Sequence, residues 1–391
     1  MTKKLLTQTN LHIVFGITLV AVMGVSSIAP AFPQIEKALG VSTEQVGWLI
    51  TVFTVPGVLL TPVLGVLADR LGRKRILVPS LFLFGLGGAA CFFTTEFDSL
   101  LIFRTVQGVG AASLGALNLT LIGDLYDGKT RTAAMGYNSS VLSIGTALYP
   151  AVGGALALLG WNYIFLLPLL AIPVGLVVIF SLDNPEPDGN GNFKKYLGDT
   201  LRSINRLPVY VLFAVSVITF IILYGSMITF FPFLSEKRFD ATSFQIGVLL
   251  SSMSLSTAVT STMIGKLTER FSERKLMLFA FLFYALAMAL IPFITSLWFL
   301  LIPVLIFGVA QGLNLPSFMT LLTRFAPLEN RAAFMSINGM ILRAGQTLGP
   351  LVMGFFFNRY GIESVYWTGG ALAVLMFFLI LFFLRRSGAD Q

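Results

Sequence analysis

Two arginines, Arg104 and Arg343, lie inside apolar stretches of the chain. A charged side chain there costs about 2.5–3.5 kcal/mol on membrane-insertion scales, so such residues are rare and usually have a role. The planar guanidinium group can bind an oxyanion or a carbonyl at two points. Each arginine could therefore hold a polar ligand. Alternatively, each could bond to the backbone carbonyls of neighbouring helices and fix their packing.

Other residue patterns that carry chemistry are not found in the sequence. One cysteine, Cys91, excludes an internal disulfide and a cysteine metal cluster, and one histidine, His12, excludes a multi-histidine metal site. The sequence contains no Walker loop, no nucleotide fingerprint, no paired carboxylates and no nucleophile with a histidine and an acid. We therefore expect no metal, no cofactor, no ATP-driven step and no enzymatic activity.

The composition is that of a membrane protein. Of 391 residues, 56% are hydrophobic and 11% are charged, whereas soluble domains average about 25% charged residues. The net charge of +8 could suggest nucleic acid. However, the basic residues stand in short clusters between apolar tracts, so nucleic-acid binding is not expected. The first apolar tract, at about 11–33, is longer than the core of a signal peptide.

A hydrocarbon core of about 30 Å needs roughly 20 helical residues to cross it. Backbone polar groups in lipid must be satisfied within the segment, so the spans are helices. Twelve tracts qualify, at about 11–33, 46–67, 76–95, 99–123, 132–158, 162–182, 208–232, 243–265, 276–295, 298–322, 332–357 and 364–384.

Basic residues set the orientation of these spans. Most of the 26 lysines and arginines lie on the side that also holds the N-terminus, which predicts that both termini are cytoplasmic. The longest polar stretch, 183–207, predicts a cytoplasmic linker between two six-helix halves, 1–182 and 208–391. Its end is predicted to form a short amphipathic helix. Four basic residues would lie on that helix: Lys194, Lys195, Arg202 and Arg206.

The two halves repeat each other with a shift of about 200 residues. "GVLADRLGRKRIL" from Gly65 recurs as "GKLTERFSERKLM" from Gly265. Arg131-x-x-x-Met-x-x-Asn recurs from Arg331 with the same shift. Agreement between separate loops and helices indicates a duplicated six-helix unit, an arrangement that usually binds substrate between the halves near the bilayer midplane.

The loop after the second predicted span joins glycines, an acid and a basic cluster at fixed spacing. Its residues are Gly65, Asp69, Arg70, Gly72, Arg73 and Lys74. This pattern resembles the signature of the major facilitator superfamily, and further motifs follow in family order over almost the full length. The resemblance implies a secondary transporter of two six-helix bundles that opens alternately to either side. An ordinary basic cytoplasmic loop is the alternative.

The residue types in this loop suggest their roles. Gly65 and Gly72 would permit close packing and a tight turn. By the resemblance, Asp69 faces the positive N-terminal end of the eleventh helix, near Asn330, and Asp124 lies next to the loop arginines.

The second copy of the loop contains Glu269 and Arg270, and Glu269 would face the start of the fifth helix. Two residues of the first copy are replaced there, by Ser272 and Glu273. The contact between this second loop and the start of the fifth helix is therefore expected to be weaker.

The fourth span carries "RTVQGVGAA" from Arg104, similar to the family's second motif. Arg104 is expected to act as a functional charge within the membrane that takes part in coupling. A role in helix packing is the equal alternative. Aligning Gln107-Gly108 with Gln311-Gly312 would put Gly308 in the place of Arg104.

The fifth span resembles the antiporter motif of the family, a glycine-rich stretch with a proline. The motif residues are Gly136, Gly145, Tyr149, Pro150, Gly153 and Gly154, with Gly349 and Pro350 in the second copy. Tyr149 stands where the family has glycine. Small residues here would let the fifth and eleventh helices approach the opposite half closely, although generic glycine packing would give the same composition.

The substrate cavity should lie on the first, fourth, seventh and tenth helices by the resemblance. Met23, Asn118, Tyr224 and Asn314 are its candidates, and Arg343 is the predicted anchor for a negative or strongly polar group. Pairing with backbone carbonyls or water is the alternative for Arg343.

No acidic residue lies within the twelve predicted spans, and the first span lacks the buried carboxylate that many family exporters of cationic drugs carry. Proton coupling would then depend on Asp69, Asp124 or another relay.

These observations predict an ion-gradient-driven efflux antiporter of the inner or plasma membrane, coupled to protons and carrying an amphipathic organic molecule. A proton symporter that takes up an organic anion is the alternative. A transport-inactive receptor would be expected to lose the loop signature. We expect partners to be the small-molecule substrate, protons and the lipid bilayer, with a monomeric protein.

Overall fold

The computed structural model describes residues 5–183, 205–325 and 331–384, and these residues form helices without a β-strand. The all-α, twelve-helix prediction is confirmed. The bounds are α1 Thr9–Leu39, α2 Thr43–Leu71, α3 Arg73–Phe92, α4 Phe97–Leu125, α5 Gly128–Ala157, α6 Trp161–Ser181, α7 Leu207–Phe239, α8 Ser243–Thr262, α9 Glu273–Phe293, α10 Leu297–Phe325, α11 Arg331–Tyr360 and α12 Ile362–Phe383.

Eleven helices in the described part of the chain are long and apolar enough to cross a membrane. The exception is α8, whose 20 residues are rich in serine and threonine and therefore less apolar. A short helix, Ile264–Thr268, follows it. The linker helix predicted around Lys194 to Arg206 lies almost entirely outside the described residues.

Local backbone chemistry sets the helix ends near the membrane surfaces. Gly40, with φ of 65°, ends α1, and Ser42 caps α2 through a reciprocal pair of bonds with Gln45. Gly72, with φ of 97°, makes the turn between α2 and α3. A side chain at that backbone conformation would be strained, so the tight turn expected at Gly72 is present.

The first helix of each half is irregular at its middle. In α1 a 3₁₀ turn, Ala29–Ala31, interrupts the α-helix at Pro30. In α7 a π-helical segment, Ile222–Phe230, occupies a similar place. π-Helical segments are rare and are frequently found at functional sites.

The chain divides into two compact units. The first comprises residues 1–190 with 242–247, and the second comprises 191–241 with 248–391. In the first unit α4 packs against α2 and α3, and α1 packs against α5. In the second unit α9 packs against α10 and α12, and α7 packs against α11.

Equivalent contacts occur inside each of the two units, between residues whose numbers differ by 200. A Cβ placed on Gly108 would lie 2.3 Å from the carbonyl oxygen of Phe53, and one on Gly308 would lie 2.4 Å from that of Met253. Both residue pairs differ by 200. The backbones of the fourth and second helices of each unit are therefore in close contact at equivalent points.

Hydrogen bonds between the same helices repeat in the same register. The Thr61 hydroxyl donates to the carbonyl of Ala112 at 2.7 Å, and the Ser261 hydroxyl donates to that of Gly312 at 3.4 Å. The predicted alignment of Gln107 with Gln311 is therefore wrong, because it shifts the helix by four residues, about one turn.

In the corrected register the counterpart of Arg104 is Val304, and Gly308 corresponds to Gly108. The conclusion that the buried charge belongs to one half still holds.

We predict that Gly108→Ala destabilises the protein by about 1–3 kcal/mol, because the new methyl group would overlap the backbone of α2. Gly115→Ala, on the same helix, is the control, since nothing lies within 4 Å of its added methyl group. Thermal unfolding in detergent measures both. Equal midpoints for the two variants would contradict the contact.

Candidate functional site

A charged cluster joins three helices at the predicted cytoplasmic end of the first unit. Asp69 lies near the end of α2, Arg73 begins α3 and Asp124 lies near the end of α4. Arg73 donates to Asp69 and, through Nε, to Asp124 at 2.9 Å. One half-enclosed guanidinium group therefore ties together two carboxylates and the three helices that carry them.

The next residue ties a fourth helix to this corner. Lys74 donates to the carbonyl of Leu182, just after the end of α6, at 3.3 Å. A cation at the C-terminal end of a helix is favourable because the terminal carbonyls carry partial negative charge. Arg70, one turn earlier, is exposed.

The second unit has an equivalent corner with reversed charge. Glu273 begins α9 and accepts from Arg324, near the end of α10, at 2.6 Å. The partners are 51 residues apart, as are Arg73 and Asp124. Replacement of Arg73 by Glu273 in the second copy thus reverses the ion pair and retains it.

The lysine contact is repeated as well. Arg274 donates to the carbonyl of Leu381 in the last turn of α12 at 2.6 Å. Arg324 was missed as a site residue by sequence reasoning. Its spacing from Glu273 was the signal that could have identified it.

The remaining loop residues lie on the surface. Glu269 and Arg270 are exposed, and no atom lies within 4 Å of a Cβ placed on Gly65. The close packing expected at Gly65 is therefore not seen in the described residues. The helix-terminus partners of Asp69 and Glu269 stay predictions, and Asn330 lies outside the described part of the chain.

Arg104 is 1% exposed and bonds to neighbouring helices. Its Nη1 donates to the carbonyl of Gly24 on α1 at 3.0 Å and to Oε1 of Gln107 at 2.6 Å. Its Nε donates to the carbonyl of Leu49 on α2 at 3.4 Å, and the guanidinium lies 4.3 Å from the Phe53 ring centroid. These contacts favour the packing interpretation, because the arginine joins α1, α2 and α4.

The glycines of the antiporter-like motif pack mainly within their own unit. A Cβ on Gly145 or Gly153 would meet α1, at 3.0 Å from Val22 and 1.9 Å from the Ser27 carbonyl oxygen. Gly145 and Gly153 thus let α5 approach α1 of the same unit, and the approach of this motif to the opposite half stays a prediction.

Other members of this motif have different surroundings. A Cβ on Gly154 would meet the backbone of Ser243, in the segment that groups with the first unit, whereas Gly136 has open space. Pro150 is buried and Tyr149 is partly buried. In the second unit Gly349, followed by buried Pro350, packs on α7.

The cavity candidates of the first unit are buried. Met23 is 1% exposed and Asn118 is 3% exposed. Asn118 donates to the Thr18 hydroxyl, and that hydroxyl donates to Asn138, so one chain of bonds joins α4, α1 and α5. A role for Met23 and Asn118 in substrate binding stays a prediction.

The candidates of the second unit include a partly accessible group. Asn314 is fully buried and donates to the Thr219 hydroxyl at 2.8 Å. Tyr224 and Arg343 are partly exposed and close enough to interact electrostatically. Gln346, which sequence reasoning missed, donates to the Tyr224 hydroxyl at 3.1 Å. It lies three residues from Arg343 on the same helical face, which was a readable signal.

Comparison with known proteins gives a family and relatives over the full length. The family model described as Major Facilitator Superfamily matches residues 14–243 and 225–391. The bacillibactin exporter of Bacillus subtilis (strain 168) is 26% identical, covering 98% of both chains. Multidrug resistance protein 1 of the same organism is 26% identical, over 90% of this chain and 88% of its own.

A solved structure agrees with the fold. The nucleoside transporter NupG superposes with a TM-score of 0.78 at 13% identity, covering 95% of this chain and 98% of its own.

We predict that Glu273→Arg and Arg324→Glu each weaken the second corner and that the double variant restores it. The single variants place like charges together, and a partly exposed pair contributes about 0.2–1 kcal/mol. Thermal unfolding in detergent at low salt measures the double-mutant cycle. Additive losses in the double variant would show that the two residues do not interact.

Proposed function

The chain belongs to the major facilitator superfamily, and on that premise we propose that it exports amphipathic organic molecules in exchange for protons, by alternating access. The resemblance read from the Gly65–Lys74 loop is confirmed, and the chain is a small-molecule transporter and not an enzyme.

The observation that carries the direction of transport is the character of the full-length relatives. They are an exporter, which aligns with 98% of this chain, and a multidrug resistance protein, which aligns with 90% of it. Export also fits localisation in the inner or plasma membrane with both termini cytoplasmic, as the distribution of basic residues predicts. We take the monomer as the working unit.

The corner of Asp69, Arg73 and Asp124 is our candidate for coupling. The described carboxylates lie at helix ends or in loops, so none is available at mid-membrane. Two carboxylates share one guanidinium in this corner. Protonation of either would remove one ion pair and loosen the link between α2, α3 and α4. A proton could thereby shift the balance between two conformations of nearly equal free energy.

Inverted membrane vesicles test the direction and the coupling ion together. Respiration acidifies their interior, so a proton antiporter that exports should accumulate a fluorescent dye inside, and nigericin should abolish the accumulation. An uptake symporter for organic anions, the alternative function, would not concentrate the dye under these conditions. Vesicles without the protein supply the background.

We predict that Asp69→Asn and Asp124→Asn each lower dye export severalfold while the protein still folds and inserts. Loss of one charge from the corner is worth about 0.3–1 kcal/mol, which corresponds to a shift of up to about fivefold in a balanced equilibrium. Glu36→Gln, near the opposite surface, is the control and should retain export.

Substrate-induced proton release in detergent provides the second measurement. It should depend on Asp69 or Asp124 and persist in Glu36→Gln. Wild-type export in both asparagine variants, or proton release lost only in the Glu36 variant, would refute this coupling site.

A further inference from the structure

A polar group within the second unit joins α7 to α11. Gln346 donates to the Tyr224 hydroxyl oxygen at 3.1 Å, and Arg343 interacts electrostatically with the same tyrosine. Arg343 and Gln346 are one helical turn apart, so their side chains leave α11 in the same direction. All three side chains are partly exposed.

Close backbone packing holds the two helices together beside this group. A Cβ on Gly345 would lie 2.7 Å from the carbonyl oxygen of Val217, and one on Gly349 would lie 2.8 Å from the nitrogen of Gly225. Gly225 follows Tyr224 in the π-helical segment. The tyrosine is therefore positioned by rigid neighbours, as a specific binding group requires.

The group lies deep in the membrane. Arg343 is twelve residues into α11, about 18 Å from the start of the helix, and Tyr224 is near the middle of α7. An arginine at that depth cannot reach either headgroup layer comfortably, and exposing it to lipid would be costly. Its accessible surface must therefore face water or a polar ligand.

The hydrogen-bonding geometry favours a negatively charged oxygen as ligand. The Tyr224 oxygen accepts from Gln346, so its own hydrogen is directed elsewhere and can be donated. The arginine adds a fork of N–H donors matched to carboxylates and other oxyanions. The buried Phe220 ring, 6.0 Å from that of Tyr224, packs beside these donors.

The repeat does not account for the charge. At the 200-residue shift, the first unit has Gly24, Ser143 and Thr146 where the second has Tyr224, Arg343 and Gln346. The duplicated fold thus forms without this group.

We infer that Arg343 and Tyr224, oriented by Gln346, form a binding site for an oxyanion group of the substrate. Amphipathic organic anions are then the class of molecule carried. This inference rests on the proposed transport function and specifies its substrate. The anionic group binds Arg343 and the Tyr224 hydroxyl.

Three probes of the same shape test the charge requirement. Purified protein in detergent is titrated with 1-naphthoate, neutral 1-naphthamide and cationic 1-naphthylmethylammonium, and the thermal unfolding midpoint is recorded. A ligand that binds only the folded state raises this midpoint with concentration. We expect naphthoate alone to do so at concentrations where the other two have no effect.

Variants then assign the site. Arg343→Ala should weaken naphthoate binding at least tenfold, and Arg343→Lys should weaken it less, because lysine keeps the charge but loses the fork. Tyr224→Phe should weaken it severalfold. Arg359→Ala, at the other end of α11 and exposed, is the matched control and should bind normally. If Arg343→Ala does not fold, Arg343→Lys and Tyr224→Phe test the same site, because each is expected to bind naphthoate more weakly than the unmodified protein.

Equal stabilisation by naphthamide, or unchanged affinity in Arg343→Ala, would overturn the inference and return Arg343 to a packing role. Competition in the inverted vesicles separates this failure from that of the transport proposal. If the protein exports dye and naphthoate does not inhibit this export, the export proposal is supported and the oxyanion site is refuted. If naphthoate binds through Arg343 but the protein transports neither dye nor naphthoate, the binding site is supported and the export proposal is refuted.

Discussion

The lack of water in the hydrocarbon core is the constraint on which the rest of this structure depends. Every polar group placed there needs a partner in the protein, since lipid supplies none. Two nitrogens of Arg104, Nε and Nη1, meet this need by donating to backbone carbonyls of two other helices and to Gln107. The amide nitrogen of Asn118 meets it by donating to the Thr18 hydroxyl on another helix. The same side chains that satisfy the constraint therefore also fix which helices lie side by side.

Close backbone contact is the second consequence of the same constraint. Lipid gives apolar side chains little reason to prefer protein neighbours, so helices associate through small residues that allow van der Waals packing. Gly108 on α4 and Gly308 on α10 illustrate this, with carbonyl oxygens of the facing helices α2 and α8 directly beneath them. The contact is retained in both units, while the polar residues around it have diverged. Arg104 has Val304 as its counterpart, and Arg343 has Ser143.

Sequence reasoning reached the number and order of the helices, because hydropathy and helix length follow directly from the thickness of the bilayer. It could not place helix ends such as that of α1, which depends on backbone details such as the positive φ of Gly40. The local likeness of Gln107-Gly108 to Gln311-Gly312 misled the alignment, since only the contacts of Gly308 with its neighbours define the register. Side-chain partners were hardest to predict. The helical spacing puts Gln346 on the face of Arg343, but its partner, the Tyr224 hydroxyl, is seen only in the structure.

The reversed polarity of the two ion-paired corners has a consequence for how a duplicated chain assembles. Two copies of one six-helix unit offer each α3-type helix two similar α4-type partners, one correct and one belonging to the other copy. With Arg73 paired to Asp124 and Glu273 paired to Arg324, an exchanged assembly would oppose arginine to arginine and carboxylate to carboxylate. The correct assembly joins opposite charges in both copies. Charge reversal thus disfavours the exchanged pairing of helices between the two similar halves and favours the correct one.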